Sequence, residues 1–429
     1  MPGRNVNKYL IHLLLFAITL VTTTLAGAEW MTGRSFLLPT DLEGGGLLGW
    51  PDFRRGLLFS VPFLAILTVH EFGHYFAAQW HKVKVTLPYY IPLWLGWLGG
   101  PSIGTMGAFI RINSPLRTRR QVFDIGVAGP LAGFVLALGV LWYGFTHLPP
   151  REYIFQIHPD YAQYGADYEK YVYTYQHARQ QDSIQFITML RQARSEGLIP
   201  QDSVILHKPL SQERFEQIRS FNIALGTNLM MEVFARYVAP DPALVPNGNE
   251  LGHYPILLAG FLALLFTGLN LIPVGQLDGG HILYGLIGER WHAVVSPVLF
   301  VAFVFYAGLG AVNWKGEMTL LGEPLPQYAA IPLYIGFLFV LFSRVVENPL
   351  NALLLGTGVL AGQLVVTSLW GIEGYPGWLV FAFVLGRVLG VYHPPAVLDE
   401  PLSPARKALG WFSLLVFILS FTPQPFVTG

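Results

Sequence analysis

The chain has 429 residues, of which 53% are hydrophobic, 14% aromatic and 12% charged. Soluble domains hold about 25% charged residues, so this composition belongs to the membrane class. The 26 basic and 26 acidic side chains cancel, and the strongly basic face expected for a nucleic-acid partner does not appear; the absence of cysteine excludes disulfides, iron–sulfur clusters and thiolate zinc sites.

In chain order, Arg4 and Lys8 precede an apolar run at 9–25, followed by Ala26-Gly27-Ala28. That pattern fits a cleavable signal peptide or a first membrane helix. Because many spans follow, it is read as an uncleaved signal anchor. A bilayer core takes about 20 apolar helical residues. On that measure the spans fall at roughly 9–27, 57–80, 121–146, 254–273, 292–313, 328–343, 350–370, 376–392 and 408–422. The apolar stretch 88–112, "PYYIPLWLGWLGGPSIGTMGAFIRI", holds too much Pro and Gly for an ordinary helix. It is expected to form a re-entrant, β-like hairpin, a backbone that survives at membrane depth only when buried in protein or facing a wet cavity. Residues 147–253 form the long polar segment, Tyr- and Gln-rich and mainly helical in pattern. The expected fold is therefore an all-α polytopic membrane protein of about nine spans with that hairpin and a mainly helical extramembrane insertion. Its divisions are 1–56 (anchor and loop), 57–146 (membrane core), 147–253 (insertion), 254–290 (second core segment) and 291–429 (C-terminal spans).

Lys and Arg set orientation. With the N-terminus in the cytosol, Lys82, Lys84, Arg117, Arg119, Arg120, Arg290, Arg344, Arg406 and Lys407 fall on the cytosolic side, and Arg54 and Arg55 break the rule. The insertion then lies on the opposite side. A multi-pass protein of a bacterial cytoplasmic membrane is the expected setting, with the lipid bilayer as its surroundings.

Within the second span, "LAILTVHEFGHYFAAQW" carries His70, Glu71 and His74. Residues four apart share a helix face, so both imidazoles can point at one metal ion. Glu71, beside the first ligand, can reach a water at the metal without ligating it. H-E-x-x-H on a helix is the zinc-hydrolase arrangement for this reason. The bland alternative is that the two histidines are satisfied packing groups, but ionisable side chains inside a membrane segment are costly and functional by default. His74 lies eight residues before Lys82, about 12 Å along a helix, so the pair belongs near the cytosolic face.

Catalytic zinc takes three protein ligands. The best source of the third is "LLFTGLNLIPVGQLDGGHILYGL", where Pro273 and Gly275 break a span just before Asp278. Asp278 also suits an N-cap. His281, Asp124, Glu289 and Glu347 are rivals, and His281 is better placed to orient Asp278 or a backbone group. The Asn270 amide, at a helix end, could hold a substrate backbone group or an oxyanion, or simply pack between helices. "GTMGAFIRI", with Gly104 and Gly107 allowing close backbone approach, is a candidate strand edge for an unwound substrate. Gly129-x-x-x-Gly133 reads as helix packing.

These segments together resemble the site-2 protease family of intramembrane zinc metallopeptidases, peptidase family M50. The resemblance rests on His70-Glu71-Phe72-Gly73-His74, on Asn270-x-x-Pro273 through Leu277-Asp278-Gly279, and on "GTMGAFIRINSP" and "GVAGPLAGF" between them. "NLIPVGQLDGG" is particularly similar to chloroplast and related bacterial members. The resemblance implies a zinc endopeptidase that cleaves membrane-spanning segments of other proteins. It implies that His70, His74 and Asp278 hold Zn2+, that Glu71 is the general base and that Asn270 assists at the substrate. No peptide-binding module of the PDZ type is visible, and oligomeric state is open. Two other classes stay in view. A metal transporter would want several alternating sites where one is seen, and an inactive membrane scaffold has no need of Glu71.

Overall fold

A computed structural model describes residues 3–37, 47–98, 102–215, 223–313, 315–320 and 323–428. The chain is mainly helical. Helix α1 (Gly3–Thr32) is followed by α2 (Trp50–Trp80), which starts with Pro51 in its first turn and the Asp52 carboxylate accepting the Gly49 N–H. Helix α3 (Arg119–Thr146) opens on a reciprocal cap between Thr118 and Gln121. Then come α4 (Tyr175–Ser195), α5 (Leu229–Tyr237), α6 (Pro255–Asn270) and α7 (Asp278–Ala307). The chain continues with α8 (Gln327–Phe342), α9 (Pro349–Trp370), α10 (Gly377–Val384, continued by a π-turn Leu385–Leu389) and α11 (Pro404–Ser420).

Among the described residues, five helices are long and apolar enough to cross a membrane: Tyr9–Thr32 within α1, then α2, α3, α7 and α9. The apolar helices Pro255–Asn270, Tyr328–Phe342 and Gly377–Leu389 are shorter. Leu13, Val21, Val61, Phe76, Val135, Trp142, Val294 and Val298 lie open on the outer faces of the long helices. A soluble monomer rarely leaves so much contiguous apolar surface in water, whereas lipid accepts it.

The helix expected at 292–313 begins earlier. Asp278–Ala307 forms one element, kinked at Gly288 (φ 78°) where the backbone leaves helical geometry. Arg119 Nη1 would lie 3.0 Å from a Cβ at Gly288, and its Nε donates to the Gly285 carbonyl, so the kink folds around that guanidinium. Helix α6 is the hub. Leu257 through Leu265 are all buried, and α6 packs against both α2 and α3 while α3 also packs along α7.

The hairpin consists of β1 (Tyr89–Leu93) antiparallel to β2 (Gly104–Phe109), with Tyr89 opposite Phe109, Leu93 opposite Gly104 and an irregularity between Tyr90 and Pro92. It lies along α1: His12 bonds the Pro88 carbonyl, Thr22 the Gly104 carbonyl, and Trp30 the Ser102 carbonyl.

The polar segment is made of separate helical pieces. It holds 3-10 turns at Arg151–Gln156 and Pro159–Asp167, a one-turn helix Glu169–Val172, α4 and α5. The stretch expected as helix before α5 contains a strand, Ile223–Leu225, paired antiparallel with Phe426–Thr428. Asn228 caps α5 by accepting the Met231 N–H, which fixes the helix start after that strand.

Candidate active site

On α2, Phe63, Leu67, His70, Glu71, His74 and Ala78 are buried, the positions that a 3.6-residue period places on one face. This face turns toward α3 and α6. The backbones of α2 and α3 meet where side chains are smallest. A Cβ at Gly73 would lie 2.5 Å from the Ala128 carbonyl oxygen, and one at Gly129 would lie 2.2 Å from His74 Nε2. Gly133 likewise faces His70, with a Cβ there only 3.1 Å from the His70 Cβ. The small-residue stripe of α3 is thus helix packing, as its spacing suggests, and what it packs against are the two imidazoles.

The third side chain arrives from α7. Between α6 and α7 the chain turns tightly through 271–277, and the first turn of α7 folds back against that turn. A Cβ at Gly279 would sit 2.0 Å from the Leu271 carbonyl oxygen, so only glycine permits the approach. Leu277 occupies the N-cap position and Asp278 opens the helix. Its Oδ2 lies 3.4 Å from His70 Nε2 and 3.2 Å from His74 Nε2, and the two Nε2 atoms are 3.1 Å apart. Among the described residues, these three side chains form one of two groups with donor atoms close enough to share a metal ion.

The donors fit a divalent ion. Bonds of 2.0–2.2 Å in a tetrahedral site put ligand atoms about 3.3 Å from one another, which is the spacing seen. His74 Nδ1 is 2.7 Å from the Ile125 carbonyl oxygen. A carbonyl only accepts, so the proton sits on Nδ1 and the Nε2 lone pair is left for a metal. Both histidines are buried, and two buried imidazole nitrogens facing a carboxylate form a set that a cation completes.

Glu71 is buried beside this group, its Oε1 3.9 Å from His70 Nε2. The backbone of Ile110, directly after β2, is among the groups that act on its carboxylate, and β2 packs against α2. The hairpin and the H-E-x-x-H helix therefore meet at Glu71. Of the other expected residues, Asn270 closes α6, half-buried, eight residues before Asp278. Gly104 (φ 83°) makes its close approach to α1, where a Cβ would lie 2.4 Å from the Thr23 Cα. Gly107 (φ 108°) is open by comparison, Phe266 being the nearest neighbour of a Cβ there at 3.6 Å. His281 bonds the Leu277 carbonyl, and Asp124 is held by Arg406 and His81.

Sequence reasoning did not find the strap that follows α10. The Val391 carbonyl accepts from Ser296, whose hydroxyl in turn accepts the Gly275 N–H in the turn before Asp278. His393 stacks on Tyr284 at 4.2 Å between ring centroids and stands edge-on to His281. Burial, with His281 acting in the same direction, pulls His393 down to about 3. The Ala396 N–H donates to the Tyr284 hydroxyl, and Arg119 holds Asp399 at 3.1 Å. The strap locks the Asp278 turn from outside, and its only sequence signal is a Tyr-His-Pro-Pro run after an apolar helix.

The sequence profile of peptidase family M50 matches residues 58–310, a stretch that contains all three donors and Glu71. The chain is 24% identical over 354 residues to a probable zinc metalloprotease EGY2, chloroplastic, of Oryza sativa subsp. indica, covering 77% of the chain and 52% of that protein. It is 26% identical over 334 residues to a probable zinc metalloprotease EGY1, chloroplastic, of Arabidopsis thaliana, covering 75% of the chain and 47% of that protein. The chain spans about half the length of these curated relatives. No solved structure matches it.

Proposed function

The chain belongs to peptidase family M50, and from that premise we propose that it is an intramembrane zinc metalloendopeptidase, hydrolysing peptide bonds within or beside transmembrane segments of other membrane proteins. The observation that carries the reading is the convergence of His70 Nε2, His74 Nε2 and Asp278 Oδ2, within 3.4 Å of one another, from segments 200 residues apart. The names of the relatives, as probable zinc metalloproteases, support the choice of metal.

In this reading His70 and His74 hold the ion through Nε2 and Asp278 through its carboxylate. Zinc at that position would polarise the scissile carbonyl and lower the pKa of an attacking water. Glu71 takes the water's proton on a carboxylate oxygen and returns it to the departing amide nitrogen. Asn270 steadies the substrate backbone or its oxyanion through the side-chain amide. A peptide bond inside a helix is shielded by the helix's own hydrogen bonds, so the substrate must first unwind. An unwound segment can pair along β2, where Gly107 leaves room for its backbone. β2 packs against the helix that carries Glu71, which would bring such a substrate toward the base. Gly104 supports this edge indirectly, by seating it on α1.

The finer architecture follows the same proposal. Nine apolar helices, α1–α3 and α6–α11, cross or enter the bilayer, and 147–253 stands outside it. The contacts of the hairpin to α1 run from His12 to Trp30, about 27 Å of helix at 1.5 Å per residue. That length lies within the candidate span Tyr9–Thr32, which supports a hairpin re-entering at membrane depth. The metal site faces the Lys- and Arg-rich side, the cytosol in a bacterial cytoplasmic membrane. The test is Glu71→Gln in proteoliposomes with a transmembrane reporter substrate. Cleavage should fall by a factor of about 100 or more with bound zinc unchanged, and normal cleavage by this variant would remove Glu71 from the mechanism.

A further inference from the structure

At the other end of α3 lies a second group of donors that the reaction does not use: His158, Glu250 and His253, whose donor atoms are all within 4.8 Å of one another. His158 stands at the start of the 3-10 turn Pro159–Asp167, and Glu250 and His253 flank the last turn before α6. His158 Nε2 faces His253 Nε2 at 3.2 Å, nearly the separation of the two imidazoles in the active site. Glu250 Oε2 is 3.7 Å from His253 Nε2.

Two of the three donors are prepared by neighbours. His253 Nδ1 lies 3.0 Å from the Met31 carbonyl oxygen at the end of α1, so Nδ1 carries the proton and the Nε2 lone pair points into the group. Glu250 is 2% exposed, and the Tyr173 hydroxyl donates to its Oε1. Its Oε2 is buried without a hydrogen-bond partner. A buried carboxylate oxygen left so is costly.

We propose that His158, Glu250 and His253 form a second metal site, for a divalent transition ion of the zinc type, on the side of the membrane opposite the active site. Two imidazoles and a carboxylate suit zinc, and three donors leave one position for water. A buried carboxylate oxygen without a hydrogen-bond partner, grouped with two imidazole nitrogens 3.2 Å apart, is satisfied by a cation at their centre. The site is structural in its placement. It ties the first residues of the insertion to its last ones, and through Met31 ties both to α1, so it fixes how the insertion leaves the membrane. Glu-x-x-His on successive turns was the signal available in the sequence; His158, 95 residues away from His253, gave none.

The test uses the full-length protein in detergent, with zinc counted per chain by mass spectrometry. Wild type should bind two ions. The double variant His70→Ala/His74→Ala should keep one, and adding Glu250→Gln or His253→Asn to it should remove that one, raising the zinc Kd by 100-fold or more. In the same double variant Co2+ should give a visible absorption band that His253→Asn abolishes, and His158→Asn gives an independent check should one variant fold poorly. A double variant that binds no zinc and shows no cobalt band, while remaining monodisperse, overturns the proposal. Because this background lacks the active-site ligands, the result is independent of the protease assignment.

Discussion

Gly129 is the position where one methyl group should do the most damage. An alanine Cβ there would be 2.2 Å from His74 Nε2 and 2.5 Å from the Cδ2 and Cε1 of the same ring, where non-bonded atoms prefer about 3.5–4.0 Å. The ring must therefore retreat by more than about 1 Å. Ligand distances tolerate only about 0.2 Å, and a displacement of about 1 Å near the chemistry costs on the order of 100-fold in rate. The helix itself is not weakened, because alanine favours helix over glycine by about 1 kcal/mol, so any loss belongs to the clash. Gly139, two to three turns further along α3, meets nothing within 4 Å of an added Cβ and is the matched control. With both variants in proteoliposomes, Gly129→Ala should lose about 100-fold or more of its cleavage of a transmembrane reporter together with much of the zinc of the active site, and Gly139→Ala should lose neither. Wild-type rate and metal content in Gly129→Ala would refute the packing of α3 against the ligand ring.

Asp278→Asn keeps the shape of the first turn of α7 but removes the anionic donor; bound zinc at the active site should fall at least 10-fold in affinity, read by competition with a chelator, while the detergent-solubilised protein stays monodisperse. Arg406 grips Asp124 with two bonds of 2.7 and 2.9 Å. Arg406→Ala should cost about 1–2 kcal/mol, discounted for partial exposure, and Arg406→Lys should recover part of it in thermal unfolding; no difference among the three would make the pair ornamental. His393 is held neutral at about 3 in the folded chain, below the ordinary 6.5 of an unfolded histidine. Its contribution to stability is full above pH 6.5 and is lost as pH falls toward 3, because the unfolded state binds the proton first. The melting temperature of His393→Phe, which keeps a ring on Tyr284, should fall less steeply on acidification than that of wild type, and parallel curves would contradict this.

The pair His70 and His74 was legible because period and chemistry coincide: when two imidazoles stand four apart on an apolar helix, little but a shared ion offsets the cost of placing them there. Asp278 was legible from a broken span followed by Asp-Gly-Gly, and the structure adds why both glycines follow it, since α7 folds back on its own turn. Helix α7 was misjudged because one apolar pattern hides a kink that depends on Arg119, a residue 169 positions away from Gly288. The packing role of Gly129 and Gly133 was legible from their spacing, but not that the imidazoles of His74 and His70 are what they pack against; Gly104 advertised a close approach without naming α1 as what approaches. The Ser296–Val391 bond of the strap and the facing of His158 and His253 are tertiary features, each joining residues 95 positions apart.

The strand Ile223–Leu225 pairs with Phe426–Thr428, some 200 residues later, and this sets an order of events during synthesis. At about 5–20 residues per second the partner emerges roughly 10–40 s after the first strand. Throughout that interval helices α6–α11 must be placed while the outer segment waits with an unmatched edge. Pairing in the polar segment is therefore gated by residues made long after it. A ribosome stalled between Asp278 and Phe426 would leave a product in which His70, Glu71, His74 and Asp278 are all present and Ile223–Leu225 still lacks its partner strand.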